Sequence, residues 1–508
     1  MADNENTRTI NKGYGHALFG RTVIYTDEKE ITAENVVSVI QQAFPTHLKN
    51  RDEINYLYDY YKGKQPILER EKQVRSEINN KVVCNIAFDI VDFKVSYLLG
   101  SAFAYVSDKN KSEDTALLND YMNQVSKETL DRELIEWNHI CGTAYRYVSA
   151  KEPSAVEKGD APFDLFTLDP RNTAIIYSST FKKNRMASFT YTVSETDGQI
   201  KNFVVYTKNK IFSYSEEEKN GKVNISVFKE QKNPLNEIPI FEYPANNARL
   251  GAFEPVLPLL DSANRILSND VDGVELQIQS FLKFVNCELD RDALENLKEY
   301  GAIKIKSIDG APADVDSVKT DYSYDGADSV KEDIYSKIYM ICGLPITGNG
   351  KSFSANNGAA ALVSGYSQAE AKAKASETMF TGSERVMLKL ILQICKTVGK
   401  DKLNLRSSDI ECKSPRTNYE NMQVKAQVLC EMLNTPRVHP KLAFESCGLF
   451  SDPENAYLIS EKHYQESLEK WEIKDTPDMD GVIDNGGEET EKVRNSGLTD
   501  SGTDNAAS

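Results

Sequence analysis

The chain has 508 residues, of which 40% are apolar, with 25 Tyr and 20 Phe, enough for about three or four domains and a large core. Sixty basic against 77 acidic residues leave a net charge of -17. That excludes a general nucleic-acid binder of the basic-patch kind, and leaves DNA contact through a minority of residues or a surface that repels DNA and does not hold it. Cys84, Cys141, Cys287, Cys342, Cys395, Cys412, Cys430 and Cys447 are scattered with no C-x-x-C, so neither a zinc site nor a disulfide framework is expected, and they read as reduced core residues. The polar, acidic Met1-Ala2-Asp3-Asn4-Glu5-Asn6 does not read as a secretory leader, and no run of about 18 apolar residues is present to span a membrane.

In chain order, residues 1–26 are polar and mixed, and read as a flexible arm. Thr32 is placed to cap a helix carrying Val36, Val37, Ile40 and Phe44 that ends before Pro45. A second helix is expected from Asp52, with Tyr56, Tyr58, Tyr60 and Tyr61, ending at Gly63. Asn85 is placed to cap an amphipathic helix that stops at Gly100, with Asp89, Asp92 and Lys94 on its wet face, and residues 111–141 read as helix again. From Thr143 to Tyr243 the apolar period changes to two. Strands are expected at 163–168, 173–177, 187–193, 203–207, 210–214 and 223–228, with hairpin turns at Asp197-Gly198 and Asn220-Gly221. This is an antiparallel β module joined to a helical one.

The stretch from 253 to 345 reads as a rod. Apolar residues at Val256, Leu260, Ala263, Leu267, Val271, Val274, Ile278, Phe281 and Val285 step mostly by 3 or 4, predicting one helix over 256–285, with Pro258 in its first turn. At about 1.5 Å per residue it would be roughly 45 Å long. Residues 301–306 alternate as a strand, Asp309-Gly310 turns, and 315–322 returns as its hairpin partner. Val330, Ile334, Ile338 and Ile341 mark a second helix ending at Gly343-Leu344-Pro345. Small polar residues dominate 346–357, which reads as a loop. An alanine-rich helix is expected at 358–378, a further apolar helix at 385–398, and two or three more at 417–472, separated by Pro436, Pro440 and Asp452-Pro453. The tail from Lys474 has no apolar period and an acidic excess, and reads as disordered.

Motifs for covalent chemistry are weak. Gly350-Lys351-Ser352 ends like a phosphate-binding loop, but the position that needs the first glycine is Pro345. Asp478-Met479-Asp480-Gly481 resembles part of a calcium loop, but the register that puts Gly481 sixth starts at Thr476 and puts Gly487 where the bidentate Glu belongs. His16, His47, His139, His439 and His463 are isolated, and no G-x-S-x-G elbow is present. Neither an enzyme nor a cofactor is expected.

Several stretches, taken in order, resemble one family. Residues 85–100, ending Tyr97-Leu98-Leu99-Gly100, are similar to the helix that ends in "YLxG" in bacteriophage portal proteins. Leu168-Asp169-Pro170-Arg171 resembles the "DP" strand that follows there. Phe241-Glu242-Tyr243-Pro244, Phe253-Glu254-Pro255-Val256 and Leu260-Asp261-Ser262-Ala263 resemble the lead-in to its stem, and 418–457, including Cys447-Gly448-Leu449-Phe450, resembles its helical C-terminal region. The resemblance covers about residues 50–470 and is nearest to portals of long-tailed phages of Gram-positive hosts.

It implies a multi-domain, mainly helical α+β portal fold assembled as a ring, usually of twelve subunits, at one capsid vertex. Double-stranded DNA enters and leaves through the ring, and no chemistry is required. By position, 27–252 is the wing, 253–285 the first stem helix, 286–325 the clip, 326–345 the second stem helix, 346–357 the tunnel loop, 358–414 the long helix and wing return, 415–473 the crown and 474–508 the acidic tail. The implied partners are the terminase large subunit, a head–tail adaptor, and the major capsid and scaffold proteins. Asp261, Asp270, Asp272 and Glu275 are candidate repulsive groups toward the channel. Lys351, Ser352, Phe353, Asn356 and Asn357 are candidate DNA-facing loop residues, and Lys304, Lys306 and Asp309 candidate clip contacts. Two other readings stay open: an intracellular helical scaffold without a DNA channel, and a nucleic-acid enzyme, against which the lack of a metal cluster or phosphate-binding loop argues.

Overall fold

The computed structural model describes residues 18–73, 75–100, 102–107, 112–194, 200–219, 222–278, 281–285, 287–288, 306–307, 314–318, 324–345, 359–401, 403–413, 422–450 and 452–472. The fold is α+β. Residues 18–26, expected in the arm, are part of the body: Leu18 and Arg21 are buried, and β1 (Ile24–Thr26) pairs in parallel with β5 (Thr173–Ser178).

The two helices expected on either side of Pro45 are one, α1 (Val36–Tyr61). Pro45 and Gln41, whose carbonyl a residue at 45 would ordinarily engage, are both exposed, and the buried face through Ala43 and His47 holds the helix on its sheet. Asn35, not Thr32, stands at its N-cap; the Thr32 carbonyl accepts from Val36 N. Asn85 precedes α2 (Ile86–Leu98) but does not cap it with its side chain. That side chain instead donates to the Tyr61 carbonyl at 2.8 Å and accepts from Gln65 Nε2 at 2.9 Å, tying two helix ends together. The helical stretch expected over 111–141 divides into α3 (Ser112–Gln124) and α4 (Lys127–Cys141) at Ser126, whose φ is 52°.

The strands follow the period-two pattern closely. β5, β6 (Arg185–Val193), β7 (Ile200–Thr207), β8 (Lys210–Lys219) and β9 (Lys222–Lys232) form a six-stranded sheet with β1, in the order β1-β5-β6-β7-β8-β9. The turn residues 197–198 and 220–221 lie outside the described residues, but the strands they would join are antiparallel neighbours. The first half of α1 covers this sheet through Val36, Val39, Ile40 and Ala43 against Ile176, Phe189, Phe203 and Phe212. A three-stranded sheet, β10-β3-β4, is made from β3 (Thr143–Ala150), β4 (Phe163–Leu168) and β10 (Ile240–Pro244).

The rod differs from expectation in two ways. The first helix, α5 (Leu257–Ile278), has 22 residues, about 33 Å, and stops before Phe281. Residues expected at its end form β11 (Phe281–Val285), which pairs with β14 (Asp314–Val318), and β12 (Cys287–Glu288) pairs with β13 (Lys306–Ser307). The return strand pairs with 281–285, and Lys306 stands opposite Glu288; the rest of the expected partner, 301–305, lies outside the described residues. Alternation marks a strand but does not choose its partner. The chain comes back through α6 (Tyr324–Cys342).

The two helices expected over 358–378 and 385–398 are one 39-residue helix, α7 (Ala359–Thr397), which runs through Gly382. Its second half enters the main core with Met387, Leu388, Ile391 and Ile394, beside α2, α4 and the root of α5. β15 (Glu411–Lys413) returns to pair with β2 (Ala104–Val106). The C-terminal helices are α8 (Met422–Leu433), α9 (Pro440–Cys447) and α10 (Pro453–Glu472), with Pro440 and Pro453 as first helical residues. No helix among the described residues is long and apolar enough to cross a membrane.

Candidate functional site

The rod leaves the body where three chain segments cross at backbone contact. Gly142 ends α4 with φ +80°, and a Cβ there would stand 2.0 Å from the Arg249 carbonyl oxygen. Gly20, with φ +82°, would place a Cβ 1.9 Å from the Ala248 carbonyl oxygen. Only glycine admits both the left-handed backbone and the approach. Glu254, 1% exposed, closes the crossing: it accepts from Gly20 N at 2.9 Å and Gly251 N at 2.8 Å, and pairs with Arg21 at 2.6 Å. The direction in which α5 departs is thus set by main-chain geometry and one buried ion pair.

Along α5, Asp261, Asn264, Ser268 and Asp272 recur at steps of 3 or 4, and all four are buried. This polar stripe is taken up by residues 60–84. Tyr60 donates its hydroxyl to Asp261 at 2.9 Å. Cys84 N donates to Asn264 Oδ1 at 2.8 Å, and Val82 N to Ser268 Oγ at 3.0 Å. Asp272 accepts from Asn80 N at 2.8 Å and Asn80 Nδ2 at 2.9 Å, pairs with Arg70 at 3.2 Å, and pairs with Lys72. Burial pushes the Asp272 carboxyl up, but the bonds from Lys72 and Asn80 outweigh it and hold the group below the usual carboxylate range.

Asp261 and Asp272 therefore do not present charge to an opening, as the sequence had suggested; each is 2% exposed and consumed within its own chain. Asp270 is half-buried, and Glu275, also half-buried, accepts from Asn80 Nδ2 at 2.9 Å. Lys306 lies on β13 opposite Glu288. Lys304, Asp309 and the loop residues Lys351, Ser352, Phe353, Asn356 and Asn357 lie outside the described residues.

The apolar side of the rod is divided. At its root Val256, Leu260 and Ala263 are buried with Ile338 and Cys342 of α6. Farther out, Val271 is 42% exposed, Val274 45% and Val330 52%. The helix thus buries its polar stripe and leaves apolar groups uncovered, the reverse of a solvated surface helix. Sequence reading took the apolar stripe as the whole signal. The Asp261-Asn264-Ser268-Asp272 spacing was equally visible, but helical polar residues ordinarily mark the wet face.

A buried charge cluster fixes α7 to the body. Glu384 accepts the Tyr243 hydroxyl at 2.7 Å and the Tyr105 hydroxyl, and pairs with Lys127 at 2.9 Å; Lys127 also pairs with Asp131 at 2.5 Å, which pairs with Arg146 at 2.7 Å. Burial alone would raise the Glu384 carboxyl; Lys127, Arg146 and the two hydroxyls hold it below its ordinary value. Above this anchor, α7 meets the end of α6: Gln368 donates to the Met340 carbonyl at 3.1 Å and Lys372 to the Ile341 carbonyl at 3.1 Å. A cation at a helix C-terminus is favoured by the helix dipole, so α6 and α7 are joined at this point. Lone glutamate, lysine and tyrosine positions spread from 105 to 384 gave no sequence signal of the cluster.

Of the histidines, His47 bonds the Tyr191 hydroxyl at 2.9 Å and burial, with Arg51, lowers it to about 4; burial, with Lys94, lowers His139 to about 3. His439 caps α9. Among the described residues no group of His, Cys, Asp and Glu is placed to hold a metal ion.

A family model described as phage portal protein, SPP1 Gp6-like, matches residues 41–476. No curated protein matches the sequence. Among solved structures, the neck of an empty GTA particle computed with C6 symmetry is 12% identical, over 72% of this chain and 90% of that one, with a TM-score of 0.40. The neck of a native GTA particle computed with C12 symmetry is 12% identical over 72% and 89%, with a TM-score of 0.42. The virion of a native gene transfer agent particle gives 12%, 72% and 89%, and 0.37.

Proposed function

The chain belongs to the SPP1 Gp6-like phage portal protein family and is a portal protein of a capsid vertex; on that premise we propose that its copies close into a ring, on the order of twelve subunits, around an axial hole that passes double-stranded DNA. The observation that carries this reading is the unfinished rod. Its polar stripe is consumed inside the chain while Val271, Val274 and Val330 stand uncovered. Neighbouring copies arranged side by side would cover those groups, and a closed ring leaves no copy with a bare flank.

The role is structural, with no cofactor and no chemistry on DNA. The wing is 27–252 with 18–26 added to it, the stem is α5 and α6, the clip lies between them, and 346–357 is the tunnel loop. DNA slides past a wall that does not neutralise its phosphates; on α5 the remaining acidic candidates toward the hole are Asp270 and Glu275. The loop residues Lys351, Asn356 and Asn357 supply brief contacts. The clip, with Lys304, Lys306 and Asp309, meets the terminase large subunit during filling and the head–tail adaptor afterwards, and the capsid and scaffold proteins meet the outside of the ring.

Electron microscopy of the purified chain tests the ring. Rings with an axial hole wide enough for duplex DNA are expected; monomers that persist at high concentration would refute it. Deleting residues 352–357 should leave rings intact and impair DNA packaging or retention. Normal packaging by that variant would remove the loop from the DNA path.

A further inference from the structure

The second half of α7 has two unlike faces. One is buried in the main core through Met387, Leu388, Ile391 and Ile394, and Glu384 is fixed in the buried charge cluster, so the helix is held rigidly. The other face is open. Arg385, Lys389, Gln393, Lys396 and, just past the helix end, Lys400 are exposed. At about 100° per residue, Arg385, Lys389 and Lys396 lie within about 40° of one another around the helix axis and span about 16 Å along it.

Arg385, Lys389, Lys396 and Lys400 make no ion pair among the described residues. The one acidic residue from 378 to 400 is Glu384, which is buried. Asp401, next in sequence to Lys400, is taken by the Tyr121 hydroxyl at 2.6 Å and by Gly159 N at 2.8 Å. Arg385 and Lys389 are like charges four residues apart, an arrangement that costs a helix stability, so folding does not account for it. In a chain of net charge -17, this face is a local reversal of sign on a rigid support.

The geometry points to the phosphate backbone of double-stranded DNA as the partner of this face, held outside the axial hole. A protein partner would want an apolar or aromatic anchor at the centre of its contact, where lysine is depleted. The centre here is Lys389, Gln393 and Lys396, with Val386 at the margin. Cations fixed along a rigid helix neutralise phosphates without reading bases, so the contact is independent of DNA sequence. α7 starts at Ala359, next to the proposed tunnel loop, and Arg385 stands about 39 Å farther along it. The inference rests on the DNA-handling reading and adds to it a surface that grips duplex, where the acidic stem only lets it slide.

The test is binding of the purified full chain to a covalently closed circular duplex, measured between 50 and 200 mM salt. Rings assembled before mixing cannot thread a closed circle, so binding to it reports the outside of the body. Four phosphate contacts per engaged subunit give a slope of log affinity against log salt of about -3.6, or about a 150-fold loss over that range, and several engaged subunits steepen it. Arg385→Gln, Lys389→Gln, Lys396→Gln and Lys400→Gln should each remove about one quarter of the slope. The chain carrying all four should bind at least tenfold more weakly at 50 mM salt, with unchanged melting and circular dichroism, because glutamine suits an exposed helix position as well as lysine does. Lys462→Gln, the same charge change on exposed α10, should leave the slope as it was. No binding to the circle, binding to linear duplex alone, or an unchanged slope in the fourfold variant overturns the inference. So does binding that appears only after residues 474–508 are removed, which would give the face to the acidic tail. Whether rings form is scored separately by electron microscopy: a chain that stays monomeric yet binds the circle with this slope takes down the ring and leaves the surface standing.

Discussion

Asp272→Asn is the substitution with the most local and calculable consequence. The carboxylate is 3% exposed and holds Asn80 through two hydrogen bonds, with Arg70 at 3.2 Å and Lys72 beside it. Asparagine keeps the shape and one acceptor but removes the charge, leaving two cations that are 10% and 25% exposed without their anion. Stripping one member from a fully buried pair costs about 3–5 kcal/mol, and charged hydrogen bonds contribute about 1.5–3 kcal/mol. Because water reaches Lys72, a loss of about 2–3 kcal/mol is expected for the segment over 70–84, which is roughly a 30- to 150-fold fall in amide protection. Hydrogen exchange reads this at Asn80, Val82 and Cys84, whose N–H groups donate to Asp272, Ser268 and Asn264. Amides in α4 should not change. The pH dependence has a definite sign. A carboxyl held below its unfolded value stabilises the fold above the ordinary carboxylate range, and that contribution is lost as pH falls through the folded value. The unmodified chain should therefore lose protection over 70–84 on acidification, and the Asn variant should show little of that dependence. Protection within threefold of the unmodified chain at neutral pH would refute the account of the clasp.

Glu384→Gln leaves Lys127 and Arg146 short of an anion in a site where Glu384 is fully buried, and should cost about 3 kcal/mol or more, seen as a lower melting temperature with early loss of α7 by hydrogen exchange. Gly142→Ala forces a Cβ to 2.0 Å from the Arg249 carbonyl and should reduce soluble yield and melting temperature sharply, whereas Gly159→Ala, with φ +91° but open space around it, should cost only about 1 kcal/mol. His47 has a folded value of about 4 against 6.5 for the free group, so the unfolded chain binds the proton first; stability should fall by a few kcal/mol as pH drops from about 6.5 to 4. His47→Gln should flatten that part of a melting-temperature profile. Val271→Asp with Val274→Asp touches groups that are 42% and 45% exposed. It should leave the monomer's circular dichroism and melting unchanged while abolishing rings; unimpaired rings would show that this flank is not covered by a neighbour.

The amino-acid sequence alone determined the β module and the helical C-terminus of this protein. Period-two alternation placed β4 over its full length and β5 to within one residue, and proline marked the starts of α9 and α10. These are short-range signals: pleat, turn chemistry and missing N–H groups act within a few residues. The ordered motifs that resemble portals were also legible, and the family match bears them out. Tertiary structure decided the rest. Pro45 read as a helix end and 379–384 as a gap between two helices, yet both sit within helices because each helix is held on both sides of the weak point by packing. Residues 281–285 continue a helical apolar period but form a strand, since their partner at 314–318 lies outside any local window. Asp261 and Asp272 read as a wet, repulsive face and are buried instead. The donors that make their burial tolerable, Tyr60 and Asn80, lie 201 and 192 residues away in sequence. A polar group's place inside or outside depends on whether a partner meets it, and only the folded chain supplies that partner.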